Sequence, residues 1–233
     1  MAKVTLVLGE SGSGKTTAAE TLPPDKTFII NPVGKDLPFP GAEKKYKKFI
    51  TDKENKNYGK GNLFSSKDPA KIANVLRYVS KHRPDIKCIV LDDNQYIALF
   101  TFISRMGENS FQKFNDIAAN MVEMVELLKS LRSDLIIFVL QHIESGDSVE
   151  GDVQIQAKTM GKFVREKVTF EGLFTIVLLC DKEADNDDDI KHFFWTRRIN
   201  STVKTPRGMF EDQKIPNDLY AVAKRITQYY REQ

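Results

Sequence analysis

One segment of the chain combines glycines, a lysine and two threonines at a spacing that suits phosphate binding. Residues 9–16 read GESGSGKT and match the pattern G-x-x-x-x-G-K-[ST] at every fixed position. The apolar run KVTLVL before it predicts a strand, and a helix is expected to follow from about Lys15. In such a loop, glycines let the backbone turn so that several N–H groups face one phosphate. Lys15 can then reach the β- and γ-phosphates, and the Thr16 hydroxyl can ligate Mg²⁺.

The motif therefore predicts a site for the phosphates of a nucleotide, against the alternative of a glycine-rich turn without a ligand. A guanine-binding string of the type [NT]-K-x-D is not indicated, because the string after the last apolar run, CDKE at residues 180–183, does not fit it and fails at its first and last positions among others. The residues predicted to bind the nucleotide are Gly9, Glu10, Ser11, Gly12, Ser13, Gly14, Lys15, Thr16 and Thr17.

An acidic partner for Mg²⁺ follows a second apolar run, IKCIVL, which predicts a strand buried on both faces. An apolar strand that ends in aspartate is the Walker-B arrangement, so Thr16 and Asp92 are the predicted metal ligands. The alternative is an ordinary Asp-Asp turn at a strand end. Many ATPases place a catalytic glutamate at the next position, where this chain has Asp93. Aspartate reaches about 1.5 Å less far, and Asp93 is a candidate base or water-orienting residue.

A polar residue also ends the apolar run LIIFVL, which is followed by Gln141. If this strand lies between the phosphate-loop strand and the Walker-B strand, Gln141 lies near the γ-phosphate and can sense the nucleotide state. The alternative is an amide at a strand end with no such role. The candidate catalytic residues are thus Lys15, Asp93 and Gln141.

Apolar runs that predict strands alternate with segments of helical periodicity along most of the chain. This alternation predicts an α/β fold with a largely parallel central sheet flanked by helices. The strand order expected for the five apolar runs is 5-1-4-3-2, followed by a C-terminal hairpin at 184–189 and a helix from Asn217 to about Arg231. In this order three strand spacings, about 14 Å, separate Cys88 from Cys180, so both thiols are expected to be free.

The composition describes one soluble globular unit. The chain has 233 residues, 41% of them hydrophobic and 29% charged, with 35 basic and 32 acidic side chains and a formal charge of +3. This length predicts a single domain over 1–233, and the small charge excess does not by itself imply nucleic-acid binding. No apolar run reaches the roughly 18–20 residues of a membrane span, and the short N-terminal run does not fit a signal peptide. We expect no membrane contact and a cytoplasmic location.

A basic insertion is predicted over residues 34–66. Its part from 43 to 60 holds seven lysines against three acids and interleaves them with aromatic residues. Lysines bind phosphates and aromatic rings stack on bases, so this part can be a platform for single-stranded DNA. The alternative is a solvated insertion with no ligand. The candidate nucleic-acid residues here are Lys44, Lys45, Tyr46, Lys47 and Lys48.

Several longer segments carry a family resemblance: GESGSGKT, FIINPVGKDLPFPG, IVLDDNQYI, FVLQH, KTMGKFVREKVTFEGLFTIVLL and TPRGMFEDQKIPNDL. With these segments the sequence resembles phage-encoded RecA-like P-loop ATPases over nearly its whole length. That group is associated with phage replication, recombination and single-strand annealing. The resemblance implies a RecA-type core, Mg²⁺-dependent ATP hydrolysis and assembly as a ring or filament on single-stranded DNA. It also implies phage replication or recombination proteins as partners, and the host cytoplasm as the location.

The resemblance implies further roles for individual residues. The loop after the fourth strand, 143–160, corresponds to a DNA-contacting loop and includes Lys158. Lys162 or Arg165 could reach the γ-phosphate of a neighbouring subunit, the alternative being a solvated basic helix face. RecA-like proteins often carry a catalytic glutamate after the second strand, but Asn31 stands here. Because of this departure, Asp93 becomes the candidate for the catalytic base, and weak ATP hydrolysis is expected.

Two alternatives to a DNA-dependent ATPase stay open on the sequence. One is a P-loop small-molecule or nucleotide kinase, although kinases usually carry a lid with clustered arginines and the chain has one adjacent pair, Arg197 and Arg198. The other is a non-enzymatic module that binds ATP and assembles other proteins. Asn31 and the short Asp93 side chain favour this second alternative.

Overall fold

A computed structural model of the chain describes residues 1–110, 112–147, 153–159, 169–185, 189–199 and 201–232. These residues form an α/β fold with a mostly parallel sheet between two layers of helices. The strands are β1 (Lys3–Gly9), β2 (Thr27–Ile30), β3 (Leu63–Phe64), β4 (Cys88–Leu91), β5 (Ile136–Asp147), β6 (Val153–Ala157), β7 (Ile176–Asp185), β8 (Asp189–Trp195) and β9 (Lys214–Pro216).

Five α-helices are described, and side-chain caps begin two of them. They are α1 (Ala42–Lys45), α2 (Pro69–His82), α3 (Gln95–Ser104), α4 (Gln112–Ser130) and α5 (Leu219–Arg231). The Asp68 carboxylate accepts hydrogen bonds from the backbone N–H groups of Ala70 and Lys71, and Asp218 accepts one from that of Ala221. Each cap satisfies N–H groups that have no partner inside the helix, so the chain enters both helices at a fixed residue.

The sheet contains more strands than the sequence predicted. Eight strands follow the order β3-β2-β4-β5-β1-β7-β8-β9, and β6 pairs only with β5. The five predicted runs are β1, β2, β4, β5 and β7, and they are hydrogen-bonded neighbours in the expected succession. The order 5-1-4-3-2 is nevertheless wrong for the sheet as a whole, because β3 extends one edge and the antiparallel strands β8 and β9 extend the other.

Two apolar clusters cover the two faces of the sheet. On one face, α2, α3 and α4 bury side chains such as Leu76, Ile97 and Val125 against β1, β4 and β5. On the other face, α5 and the segment after the glycine-rich loop bury side chains such as Ile226 and Leu22. Because the central strands are covered on both faces, their sequences read as continuous apolar runs rather than as alternating patterns.

Two local predictions are wrong. The helix expected from about Lys15 is a 3-10 helix of five residues, Thr17–Thr21. Pro23 and Pro24 follow it closely, and proline lacks the N–H group that would continue a helix. The segment 143–160 is not a loop in most of its described part, since β5 continues to Asp147 and pairs with β6 (Val153–Ala157).

Other local predictions are confirmed. β7 and β8 form the hairpin predicted around 184–189, with Asp185 opposite Asp189, and α5 forms the C-terminal helix. Cys88 and Cys180 are buried free thiols. Burial raises the pKa of Cys88 to about 12 and that of Cys180 to about 11. In the described part of the chain, none of the helices has the length and apolar character needed to span a membrane.

Candidate nucleotide site

The glycine-rich loop leaves the end of β1 and turns back over its own lysine. The Lys15 side chain is buried, and its Nζ atom donates hydrogen bonds to the carbonyl oxygens of Gly9 at 2.8 Å and Glu10 at 2.7 Å. Burial lowers the pKa of Lys15, and the negative charges of Asp93 and Asp92 partly offset this effect. The ammonium group is therefore fixed at the loop, at one end of a cavity whose other side is formed by acidic residues.

Asp92, the predicted Walker-B aspartate, contacts the glycine-rich loop directly. The Thr16 hydroxyl donates a hydrogen bond to Asp92 Oδ1 at 2.8 Å, across 76 positions of sequence. Asp92 is fully buried, and its Oδ2 atom has no hydrogen-bond partner among the described residues. Burial, together with the charge of Asp93, raises the pKa of Asp92 to about 6. A buried carboxylate oxygen without a partner costs free energy unless a proton or a cation satisfies it.

The donor set around Thr16 and Asp92 suits Mg²⁺. Within the described ranges, no group of three or more His, Cys, Asp and Glu side chains is arranged to hold a metal ion by itself. Mg²⁺ usually binds to one or two protein ligands and takes its other oxygens from water and substrate phosphates. One hydroxyl and one carboxylate beside a phosphate loop therefore fit this ion.

Asp93 is held by three side chains in an unfavourable backbone conformation. Its φ angle is +52°, a region that residues other than glycine rarely adopt. Its carboxylate forms an ion pair with Lys35, accepts a hydrogen bond from His142 Nε2 at 3.2 Å, and lies 3.5 Å from Gln95 Nε2. Burial opposes ionisation, but the bonds from His142 and Lys35 outweigh it and hold the pKa of Asp93 well below its usual range. The structure thus brings Asp93 to the site, where its carboxylate is a weak proton acceptor.

Gln141 lies on β5 between the phosphate-loop strand β1 and the Walker-B strand β4. It is fully buried, accepts a hydrogen bond from Asn94 Nδ2 at 2.8 Å, and donates one to the backbone oxygen of Lys158 at 2.8 Å. Both ends of its amide are therefore engaged. Gln141 joins the middle of β5 to the segment that follows β6. The next residue, His142, lines the cavity instead.

A second set of side chains holds the outer half of the glycine-rich loop, and we call it the C-terminal clamp: Cys180, His192 and Asn217. The Ser13 carbonyl accepts hydrogen bonds from Cys180 Sγ at 2.9 Å and His192 Nδ1 at 2.8 Å. Asn217 Nδ2 donates to the Gly14 carbonyl at 3.4 Å. The clamp fits closely, because a Cβ atom on Gly14 would lie 2.7 Å from Asn217 Nδ2. Gly14 also has a φ of +96°, so the motif requires glycine here for two reasons.

The Asn31 side chain stabilises the turn after β2 that places Lys35 at the site. Its side chain accepts a hydrogen bond from the Gly34 N–H at 2.9 Å and donates one to the Lys35 carbonyl at 2.6 Å. The residue is buried at the end of β2. At the position where the sequence resemblance leads to the expectation of a catalytic glutamate, this chain therefore has an amide with a structural role.

A cavity of about 240 Å³ lies at the centre of these residues. Its lining joins six of the predicted loop residues and the predicted Asp93 to Lys35 and His142, which the sequence analysis did not assign. The lining residues are Ser11, Gly12, Gly14, Lys15, Thr16, Thr17, Lys35, Asp36, Pro38, Asp93 and His142. A cavity lined by lysines, by the glycine-rich loop and by carboxylates can bind a phosphorylated ligand together with a cation.

The predicted nucleic-acid residues are distributed differently. Lys44, Lys45, Lys47 and Lys48 are exposed, as predicted for contacts with phosphate. Tyr46 is 3% exposed and packs edge-on against Phe39, so the prediction that it stacks on bases is wrong. Lys158 is exposed beside the β5–β6 hairpin. Lys162 and Arg165 lie outside the described residues.

Comparison with known proteins adds no family assignment. No protein-family model matches the chain, and no curated protein sequence matches it either. The site must therefore be interpreted from its own geometry. Lys35 and His142 were missed by the sequence analysis, and the one available signal for them was their position after the apolar runs TFII and LIIFVL.

Proposed function

We propose that this protein binds ATP with Mg²⁺ and hydrolyses it in a reaction coupled to single-stranded DNA. The observation that carries the nucleotide part is the hydrogen bond between Thr16 and Asp92. Two residues that the sequence analysis selected for one ion, from motifs 76 positions apart, are in direct contact. Lys15, buried beside them in the loop, supports the same conclusion.

In this proposal each residue has a definable task. The loop N–H groups and Lys15 bind the β- and γ-phosphates, and Thr16 Oγ1 and the Asp92 carboxylate hold Mg²⁺. When bound, Mg²⁺ neutralises charge that develops on the phosphate oxygens. Asp93 keeps Lys35 and His142 directed into the cavity, where Lys35 adds a second positive charge to that of Lys15. His142 faces the cavity and can orient a water molecule.

The remaining parts of the proposal extend to the assembly. A RecA-like core, a homo-oligomeric ring or filament on single-stranded DNA, phage replication or recombination partners and a cytoplasmic location all rest on the sequence resemblance. The succession of the five central strands supports the RecA-like core. The exposed lysines between residues 44 and 48 support contact with DNA.

A second candidate function is ATP binding without turnover, in a module that assembles other proteins. The specific observation in its favour is the environment of Asp93, whose bonds to His142 and Lys35 hold its pKa well below the usual range. A carboxylate of such low basicity is a poor acceptor for the proton of an attacking water. The structural role of Asn31 points the same way, because it leaves no carboxylate at the end of β2.

The test measures ATP binding and phosphate release separately, with and without Mg²⁺ and single-stranded DNA. We expect Lys15→Ala to lose at least tenfold in ATP affinity, whereas Lys224→Ala, which removes an exposed lysine from α5, should behave as the wild type. Asp92→Ala should abolish the dependence on Mg²⁺. Lys15-dependent binding without phosphate release would establish the non-catalytic module. Unchanged ATP affinity in folded Lys15→Ala would overturn the nucleotide site itself.

A further inference from the structure

A larger cavity lies away from the nucleotide site, at the β3 edge of the sheet. It has a volume of about 830 Å³ and is bounded by the segment from Lys48 to Ser66 and by one face of α2. We call it the edge groove. Its volume falls within the range of ligand-binding sites, and none of the roles described above uses it.

The charge of the edge groove is one-sided. Lys48, Lys53 and Lys71 line it, and its lining includes no aspartate or glutamate. These three lysines are exposed, and in the described part of the chain they form no ion pair and no side-chain hydrogen bond. Some lysines elsewhere on the surface are paired, as in Lys87 with Asp134 and Lys129 with Glu126. The groove therefore presents three uncompensated positive charges to an anionic ligand.

The groove also has aromatic walls. Tyr58, Phe64 and Tyr78 line it, as does the edge of the buried Phe49. The rings support one another edge to face, with centroids 5.3 Å apart for Tyr58 and Tyr78 and 5.7 Å apart for Phe49 and Tyr78. Rings held in this way lose little conformational entropy when a ligand binds, and their π-faces are suited to stack on bases.

A second cavity lies between the edge groove and the nucleotide site and shares lining residues with both. This cavity, of about 640 Å³, shares Lys48, Leu63 and Ser65 with the groove and is also lined by Lys44 and Lys47. At its other end it shares Lys35 and Asp36 with the nucleotide cavity. A row of lysines thus runs from the nucleotide site to the groove, so a polyanion seated along it would end beside the residues that contact ATP.

We propose that the edge groove binds single-stranded DNA, with phosphates on Lys48, Lys53 and Lys71 and bases against Tyr58 and Phe64. A single strand is favoured over a duplex because only unpaired bases expose faces that can stack on aromatic rings. The inference deepens the DNA-binding part of the proposed function and rests on it. It assigns the contact to the β3 edge, on the far side of β2 from the β5–β6 hairpin that the family resemblance designates.

The test uses fluorescence anisotropy with labelled oligothymidylate of about 20 nucleotides, over a series of salt concentrations. The variant carries Lys48→Ala, Lys53→Ala and Lys71→Ala together. Each phosphate contact on a single strand contributes about 0.7 to the slope of log K against log salt, so the slope should fall by about 2. Affinity at low salt should fall at least tenfold. The matched control replaces three exposed lysines far from the groove, Lys182, Lys204 and Lys224, and should change neither quantity by as much.

A second variant separates stacking from charge. Tyr58→Leu keeps the site apolar but removes the ring, and we expect weaker oligothymidylate binding with an unchanged salt slope. Thermal melting checks that each variant is folded. ATP affinity is measured in parallel, and it should be retained in the groove variants. The groove assignment is overturned if the triple variant and its control lose equal affinity, or if the wild type binds no oligothymidylate. Neither outcome affects Lys15-dependent ATP binding, which is tested separately.

Discussion

At the scale of single residues, the backbone of Asp93 is the least typical feature of the site. A non-glycine residue with φ of +52° carries strain, and here three side-chain contacts hold it. Aspartate and asparagine tolerate this conformation better than other residues with a Cβ atom. The strain directs the carboxylate between Lys35 and His142, so this residue is positioned by its neighbours rather than by its own preference.

We therefore expect Asp93→Asn to be better tolerated than Asp93→Ala. Asparagine accepts the left-handed conformation and keeps an acceptor for His142, and the lost charge costs little because the Lys35 side chain is 43% exposed. Alanine removes both acceptors and keeps the strain. The free energy of unfolding should fall by about 1–3 kcal/mol for Asp93→Ala and by less than about 1 kcal/mol for Asp93→Asn. Urea unfolding measures both, and equal losses would contradict this account of the position.

At the scale of elements, local sequence determined some parts of the fold and distant contacts determined others. The five central strands were predictable because burial on both faces demands continuous apolar runs, and α2 and α5 because Asp68 and Asp218 cap them. The strand β3 was not predictable from the sequence, since its two residues become a strand only by pairing with β2. The same holds for the outer half of β5, which exists through its pairing with β6.

The C-terminal clamp is an element-scale feature, because β8 and the turn after β9 hold a loop that follows β1. His192→Ala and Asn217→Ala each remove one hydrogen bond to a loop carbonyl, and the loop N–H groups should then be less well oriented toward phosphate. We expect each change to weaken ATP binding about threefold to thirtyfold, which corresponds to about 0.5–2 kcal/mol. Asn115→Ala, an exposed site on α4, is the matched control. Isothermal titration calorimetry measures the ATP affinity of each variant. An unchanged affinity in both variants would show that the clamp does not position the loop.

At the scale of the whole molecule, the candidate site is assembled from most of the chain. Lys15, Thr16 and Asp92 could be found in the sequence because a compact motif and a strand-ending aspartate mark them. Lys35, His192 and Asn217 could not, since nothing local distinguishes a lysine in a loop from one that reaches an aspartate 58 positions away. The central strands were thus easier to predict than the residues that distant parts of the chain bring to the site.

Binding at a site of this kind should stabilise the whole molecule. With ATP and Mg²⁺ at about 100 times the dissociation constant, the unfolding free energy rises by about 2.7 kcal/mol, which raises Tm by roughly 5–10 °C for a chain of this size. Asp92→Ala removes the buried carboxylate, so it should respond to ATP alone but gain nothing further from Mg²⁺. Differential scanning fluorimetry measures both responses. An additional Mg²⁺ effect in Asp92→Ala would place the ion elsewhere.

The clamp also has a consequence for the order in which the protein becomes competent during its synthesis. The glycine-rich loop is synthesised before its clamp partners, since His192 lies 179 positions after Ser13 and Asn217 lies 203 positions after Gly14. A nascent chain that has emerged only as far as β5 already contains GESGSGKT, but the carbonyl groups of Ser13 and Gly14 still lack these partners. The loop therefore reaches its final geometry only after the last strand has joined the sheet, and a ribosome-bound fragment should hold nucleotide less tightly than the finished chain.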